Sequence, residues 1–126
     1  LAIIDKRRPT PGKSQVMNVI GNVKGKTCII VDDIIDSGGT IVNAAAALIK
    51  RGAKEAHVYV THGVLSGDAV EKIKKSKIKK LIVTDTINNL EKVKKAKNIE
   101  VLSISNLLAE AIKRISNSTS VSDLFK

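Results

Sequence analysis

Three aspartates and a run of small residues form the most chemically suggestive segment of the sequence. Asp32 and Asp33 end a stretch rich in isoleucine and valine, and Asp36 follows shortly after. The next four residues are small or carry a hydroxyl group: Ser37, Gly38, Gly39 and Thr40. Small side chains allow backbone N–H groups to converge on an anion, and a helix N-terminus behind them favours negative charge. Residues 36–40 therefore predict a phosphate-binding loop.

The aspartates indicate what the rest of the ligand would be. Carboxylates at Asp32 and Asp33 would repel a phosphate bound against them, but they accept hydrogen bonds well from neutral hydroxyl groups. A phosphate loop beside hydroxyl acceptors describes a sugar phosphate. Neighbouring strand residues point to opposite faces, so we assume that the chain turns here and lets both carboxylates reach one diol. The competing interpretation, solvated acids with glycines that serve turn geometry, is disfavoured by three acids followed by Ser-Gly-Gly-Thr.

Other segments resemble parts of known sites without completing them. Residues 25–27 and 12–14 read Gly-Lys-Thr and Gly-Lys-Ser, but neither has the upstream glycine that a nucleotide-triphosphate loop requires. His62 is placed at the end of a predicted strand, where a histidine could transfer protons or bind a metal. No His, Cys or carboxylate stands near it at ligand spacing. We therefore assign His62 a structural or ligand-adjacent role and predict no metal ligands from this chain.

The composition is that of an ordinary globular chain. Of 126 residues, 43% are hydrophobic and 27% are charged, which supplies a core and argues against disorder. No apolar run reaches the ~18 residues of a membrane span, and the lone Cys28 excludes a disulfide framework. We therefore predict a cytoplasmic protein with no membrane partner. Because the chain begins with Leu1 inside an apolar stretch, we expect it to belong to a longer protein.

The net charge is strongly positive, since 22 Lys and Arg stand against 12 Asp and Glu, giving +10. Such a field attracts nucleic acid, anionic lipid or phosphorylated metabolites. Most of the excess lies in lysine runs at residues 72–80 and 92–97, which we interpret as solvated surface. The aromatic residues are Tyr59 and Phe125 alone, too few to stack on single-stranded bases. We predict no nucleic-acid partner.

Short runs of Ile and Val alternate with helical periodicity along the chain. This arrangement is typical of a mainly parallel sheet flanked by helices, so the predicted fold class is α/β. The predicted strands cover residues 1–4, 16–20, 27–31, 56–61, 81–84 and 99–103. No linker divides the chain, and we predict a single domain over residues 1–126.

Three helices are predicted from apolar residues at three-and-four spacing. One covers residues 39–51 and ends at Gly52 as its C-terminal cap. A shorter one follows Ser66, with Ala69, Val70 and Ile73 on one face. Another follows Ser105, and both begin at hydroxyl caps. The last helix should direct five apolar residues inward: Leu107, Leu108, Ala111, Ile112 and Ile115.

The acidic segment also carries a family resemblance. Residues 32–40 resemble the phosphoribosyl pyrophosphate signature of the type I phosphoribosyltransferase fold, which is Rossmann-like. Three further stretches, residues 5–9, 61–67 and 120–125, are similar to the ribose-phosphate pyrophosphokinases, also called phosphoribosyl pyrophosphate synthetases. The resemblance runs from Leu1 to Lys126. It implies the C-terminal domain of a longer two-domain chain.

The resemblance implies a ribose-phosphate diphosphokinase, which transfers diphosphate from Mg-ATP to the C1 hydroxyl of ribose 5-phosphate and releases AMP. It implies that residues 36–40 hold the 5-phosphate and that Asp32 and Asp33 engage the ribose hydroxyls. Lys6 and Arg8 match a mobile catalytic loop, where two close cations can neutralise charge that moves to the leaving oxygen. The implied cofactor is Mg²⁺, with ATP as co-substrate. Adenine-binding residues and a metal-binding histidine would come from the missing N-terminal domain.

The resemblance further implies a homo-oligomer, a hexamer built from dimers. The end of the chain resembles a segment that takes part in regulatory phosphate binding or subunit packing in some members. The residues concerned are Ser120, Val121, Ser122 and Phe125. A serine-rich, mobile end with one isolated Phe is the alternative interpretation.

Three other functions stay open beside the synthetase. A non-catalytic regulatory homologue would keep the fold and bind sugar phosphate or partner subunits, although it would need Lys6 and Arg8 less. A base phosphoribosyltransferase would need a base-specific hood segment, which is not evident in the sequence. A nucleic-acid binder would rest on the positive charge alone.

Overall fold

The computed structural model describes the backbone of residues 1–7 and 16–126, and the side chains of residues 1–4 and 18–126. Strands and helices alternate through most of the chain. In order they are β1 (Ile3–Arg7), β2 (Val16–Ile20), β3 (Thr27–Ile35), α1 (Gly39–Lys50), β4 (Glu55–Gly63), α2 (Ala69–Lys74), β5 (Ile78–Thr84), α3 (Leu90–Val93), β6 (Ile99–Leu102) and α4 (Ser105–Ser116), followed by a 3₁₀ turn (Ser122–Phe125).

Strands β3 to β6 form a four-stranded parallel sheet in sequential order. Each strand returns to the sheet through a crossover that contains a helix, and right-handed crossovers repeated in one direction keep these helices on one face. The predicted α/β class, a mainly parallel sheet flanked by helices, is confirmed. Strands β1 and β2 form a separate antiparallel pair, so the first two predicted strands do not join the parallel sheet.

Helix α1 packs over the sheet and ends at the predicted glycine. Ala45 and Leu48 are buried in the same cluster as sheet residues from β4 and β5. After Lys50 the chain closes with two hydrogen bonds, from the N–H of Gly52 to the Ile49 carbonyl (2.9 Å) and from that of Ala53 to the Leu48 carbonyl (3.1 Å). Gly52 adopts a φ of +88°. This is a Schellman motif, which glycine favours because it has no Cβ.

Helices α2 and α3 complete the crossovers on the same face. In α2, Ala69 and Ile73 are buried and Val70 is half-buried, as the spacing predicts. Its N-cap is Asp68, and no side chain caps it, so the predicted hydroxyl cap at Ser66 is wrong. Ser66 contributes its carbonyl instead, which accepts from the Ala69 N–H at 3.1 Å. Helix α3 has four residues and was not predicted, since one turn is too short to show periodicity.

Helix α4 lies where predicted, but its orientation differs from the prediction. None of its residues is buried, and four of the five expected core residues are exposed: Leu107 (45%), Leu108 (52%), Ile112 (67%) and Ile115 (67%). Ala111 is half-buried, as are Glu110 and Arg114. The predicted cap at Ser105 is also wrong, because Ile104 occupies the N-cap and donates its N–H to Asp85 Oδ1 at 3.0 Å.

The helices of the described ranges are short. The longest, α1 and α4, have 12 residues each. Within residues 1–7 and 16–126, no helix is long and apolar enough to cross a bilayer.

Candidate functional site

The predicted phosphate loop connects β3 to α1. Strand β3 ends at Ile35 and α1 begins at Gly39, so Asp36, Ser37 and Gly38 form the connection. Gly38 is the N-cap, with a φ of +76°, and its carbonyl accepts from the Val42 N–H at 3.0 Å. Because L side chains rarely adopt this φ, glycine is required here for the chain to enter the helix.

The start of α1 is open toward an anion. Its first turn carries no acidic residue, and none of the side chains at residues 1–4 and 18–126 caps it, so its first N–H groups can donate to a ligand. The side chains of Ser37 and Thr40 are exposed beside them. Asp36 is also exposed. Since its carboxylate would repel a phosphate, any contribution of Asp36 to phosphate binding must come from its backbone N–H.

Asp32 and Asp33 lie within β3 and are both exposed. The Asp33 N–H donates to Asp32 Oδ1 at 3.0 Å. The β3–β4 ladder pairs Asp32 with Val60 and Ile34 with His62 but leaves Asp33 out. The two strands therefore keep one register on either side of Asp33, and only Asp33 is left out of the ladder.

The inward-facing positions change phase at the same level in both strands. In β3 the residues that pack on the core are Cys28 and Ile30, and then Ile35. In β4 they are Ala56, Val58 and Val60, and then Gly63. Regular alternation would place Asp32 and Asp33 on opposite faces. In β3 the alternation of buried positions breaks between Ile30 and Ile35, an interval that contains both acids. The turn that would bring both carboxylates to one diol stays a prediction.

The loop after β4 forms hydrogen bonds with the start of the phosphate loop. The Ile35 carbonyl accepts from the N–H groups of Val64 (2.9 Å) and Leu65 (3.2 Å), and the Asp36 carbonyl accepts from that of Ser66 (3.2 Å). Leu65 is buried and has a φ of +50°, an uncommon conformation for a leucine. A side chain at Gly38 would meet Ile73 of α2 at 3.6 Å. Residues 61–67, which the sequence marked only by resemblance, thus hold the start of the loop, while Ile73 of α2 lies against Gly38 at its end.

His62 has a structural environment. Its Nδ1 lies 2.9 Å from the Thr86 hydroxyl, which in turn donates to the Thr61 carbonyl at 3.2 Å. Thr84 donates to the same carbonyl at 2.7 Å. These bonds tie the carboxyl ends of β4 and β5 together.

The other predicted site residues belong to other parts of the chain, at its two ends. Lys6 lies in β1, where its backbone pairs with Met17, rather than in the loop that the nearby prolines suggest. Arg8 lies outside the described residues. Ser120 and Val121 precede the 3₁₀ turn that contains Ser122 and Phe125. The Arg114 guanidinium donates to the Ser120 carbonyl at 2.9 Å and holds this segment against α4.

Oxygen donors suited to Mg²⁺ are present at Asp32, Asp33 and Asp36. Across the described ranges, however, no three His, Cys, Asp or Glu side chains come close enough to hold a metal ion. Mg²⁺ usually takes one or two protein carboxylates and completes its shell with water and substrate phosphates. This chain fits that limited contribution, with the remaining ligands supplied by substrate.

Comparison with known proteins decides the family. Residues 4–126 match the family model described as "Phosphoribosyl synthetase-associated domain". The chain belongs to the phosphoribosyl synthetase family. Members of this family that resemble it include a ribose-phosphate pyrophosphokinase of Hyphomonas neptunium, 62% identical over 99% of this chain and 40% of the relative. One of Bradyrhizobium diazoefficiens is 58% identical over 99% of this chain and 39% of the relative.

A solved structure in the same family supports the fold. The phosphoribosylpyrophosphate synthetase of Mycobacterium smegmatis superposes with a TM-score of 0.77 at 42% identity, covering 84% of this chain and 35% of that one. The chain spans about 40% of the length of the curated relatives that it matches.

Proposed function

We propose that this chain is part of a ribose-phosphate diphosphokinase and supplies its ribose 5-phosphate site and catalytic loop. The observation that carries the proposal is its identity of 52–62% with several proteins named ribose-phosphate pyrophosphokinase. The reaction joins the diphosphate of ATP to the C1 hydroxyl of ribose 5-phosphate, which yields phosphoribosyl pyrophosphate and AMP.

In this proposal the loop at residues 36–40 holds the 5-phosphate. The uncapped first turn of α1 supports this role, because its N–H groups and the hydroxyls of Ser37 and Thr40 can donate to phosphate oxygens. Asp32 and Asp33 accept hydrogen bonds from the 2- and 3-hydroxyls of the ribose. This role is supported by the exposure of both carboxylates in β3, four and three residues before Asp36, because exposed carboxylates can accept hydrogen bonds from a ligand beside the loop.

Lys6 and Arg8 are proposed to neutralise charge on the diphosphate as it moves from AMP to the sugar. Cations fixed beside a transferring phosphoryl group stabilise its transition state more than its ground state. Mg²⁺ bound with ATP would supply further charge neutralisation. Asp32 and Asp33, proposed to bind the ribose hydroxyls, are carboxylates of this chain that would lie beside the reacting group.

The rest of the enzyme is proposed to come from outside these residues. The relatives are more than twice as long as this chain. From the resemblance of its motifs we propose that this chain is their C-terminal domain, with an N-terminal domain that supplies the adenine pocket and a metal-binding histidine. We also propose that the enzyme assembles as a cytoplasmic homo-oligomer, a hexamer built from dimers, and that residues 120–125 serve its regulation or packing.

The test is an assay of the full-length polypeptide that contains this chain. With ribose 5-phosphate and Mg-ATP, AMP and phosphoribosyl pyrophosphate should appear in equal amounts. Ribose without its phosphate is the control substrate and should give no product. Absence of AMP release across a range of metal and phosphate concentrations would exclude the synthetase and leave the non-catalytic homologue.

A further inference from the structure

Asn89 is the one fully buried polar side chain among the residues whose side chains are described, with 1% of its surface exposed. It lies in the turn between β5 and α3, and the Val93 N–H donates to its carbonyl at 3.0 Å. Nothing in the sequence pattern marks it as functional. A buried polar side chain in a core otherwise built from Ile, Leu, Val and Ala calls for a physical reason.

The Asn89 amide donates hydrogen bonds to two backbone carbonyls. Its Nδ2 donates to the Gly63 carbonyl, and at 3.3 Å to the carbonyl of Ile87 in its own turn. Its Oδ1 is buried and finds no hydrogen-bond partner within the described part of the chain. A buried acceptor without a partner destabilises the fold relative to an apolar side chain of the same shape. The unpaired oxygen lowers stability, so what favours an asparagine at this position is the pair of carbonyls that its Nδ2 holds.

The Gly63 carbonyl, to which Asn89 donates, belongs to the segment that forms hydrogen bonds with the start of the phosphate loop. Gly63 pairs with Ile35 at the end of the β3–β4 ladder. The two residues after it, Val64 and Leu65, donate their N–H groups to the Ile35 carbonyl, directly before the phosphate loop. A Cβ on Gly63 would lie 3.2 Å from Val83 and 3.4 Å from Asn89 Nδ2, so the peptide is seated tightly.

A side chain of helix α3 binds the next carbonyl along the chain. Lys92, in α3, donates its Nζ to the Val64 carbonyl at 3.2 Å. Two side chains, one at the N-cap of α3 and one within it, therefore bind two consecutive carbonyls, those of Gly63 and Val64. Between them they fix the segment that carries Leu65 in its uncommon positive-φ conformation.

From this geometry we propose that Asn89 is a positioning residue for the phosphate loop. It holds the Gly63 peptide, the Gly63–Leu65 segment holds the Ile35 carbonyl, and Ile35 sets where residues 36–40 begin. Asn89 touches no substrate and acts only through this backbone relay. The inference rests on the proposed function, because it assumes that residues 36–40 bind the sugar phosphate.

Substitution of Asn89 in the full-length polypeptide tests the proposal. Asn89→Leu keeps the number and branching of the side-chain heavy atoms but removes both the amide donor and the unpaired oxygen. Asn89→Ala is the second variant, which removes the same donor without adding bulk. The matched control is Val93→Ala, which truncates a buried side chain in the same α3 but leaves the amide in place. It should lower thermal stability without loosening the loop.

Two readouts are needed. Amide hydrogen exchange should become about tenfold faster at residues 36–42 and 63–66 in Asn89→Leu, and not in Val93→Ala. KM for ribose 5-phosphate should rise about tenfold, while KM for ATP changes by less than about twofold. Unchanged exchange in both Asn89 variants, or faster exchange with an unchanged KM for ribose 5-phosphate, would overturn the proposal.

The exchange measurement also separates the two claims. If the wild-type polypeptide makes no phosphoribosyl pyrophosphate, the proposed function fails, yet the exchange rates at residues 36–42 still show whether Asn89 holds the loop. If the wild type is active and exchange is unchanged in both Asn89 variants, the function stands and the positioning role is excluded.

Discussion

At the scale of single residues, Gly38 is the position where the backbone itself limits substitution. Gly38→Ala should destabilise the chain by about 1 kcal/mol, because the φ of +76° is unfavourable for a residue with a Cβ. The free energy of unfolding in urea measures this. KM for ribose 5-phosphate should rise in parallel, since the loop would move to relieve the strain.

Gly39→Ala is the matched control for Gly38. Gly39 has no positive φ, and an added Cβ meets nothing within 4 Å. Alanine also has the higher helix propensity at the start of α1. Equal losses of stability at Gly38 and Gly39 would contradict the assignment of the strain to Gly38.

Lys6 and Arg8 give a second prediction at this scale. Lys6→Ala and Arg8→Ala in the full-length polypeptide should lower kcat by roughly 100-fold or more with little change in KM for ribose 5-phosphate, since these cations act on the transferring diphosphate. Steady-state kinetics measures both constants. A raised KM with unchanged kcat would instead make them binding residues of the sugar.

The sequence predicts a phosphate loop at residues 36–40 because three acids followed by Ser-Gly-Gly-Thr are an unusual combination. It does not point to Asn89, because asparagine is common in turns. The role of Asn89 depends on burial and on the carbonyl it meets, both of which are set by residues distant in sequence. The same holds for Leu65, whose positive φ no sequence pattern indicates.

At the scale of elements, α4 shows what periodicity can and cannot predict. The apolar spacing correctly placed a helix at residues 105–116 and correctly grouped Leu108, Ile112 and Ile115 on one side. It could not say whether anything covers that side, and here those residues are exposed. The Ile- and Val-rich strands were predicted well because a parallel sheet demands apolar residues over several consecutive positions.

The start of α4 depends on Asp85. Hydrogen bonds from the Ser103 hydroxyl and the Ile104 N–H hold the pKa of Asp85 below its ordinary value. A carboxyl whose pKa is lowered by folding stabilises the fold above its unfolded pKa, and that stabilisation is lost as the pH falls through the lowered pKa. The protection of amides 104–108 should therefore decrease in acid.

Asp85→Ala should lower the same protection factors at neutral pH, as measured by hydrogen exchange. Asp123→Ala is the control, because Asp123 pairs with Lys126 at the chain end and not with α4. Protection of residues 104–108 that is insensitive both to acid and to Asp85→Ala would show that this carboxylate does not anchor the helix.

At the scale of the whole molecule, the net charge of +10 raises the question of whether the protein binds nucleic acid specifically or only through electrostatic attraction. Several lysines are already paired on the surface, such as Lys72 with Asp68 and Lys74 with Glu71. Any binding to duplex DNA should be independent of sequence and should weaken steeply between 50 and 200 mM salt, because it depends on counterion release. Fluorescence anisotropy with two unrelated duplexes measures this. Selective binding that persists above physiological salt would favour a nucleic-acid function.

The central claim is that residues 36–40 bind the phosphate of ribose 5-phosphate. The most direct measurement is a crystal structure of the full-length polypeptide soaked with this sugar. We predict density for the phosphate within hydrogen-bond distance of the Gly39 and Thr40 N–H groups, with the ribose hydroxyls toward Asp32 and Asp33. Density at another place, or an empty loop at saturating sugar, would contradict the account.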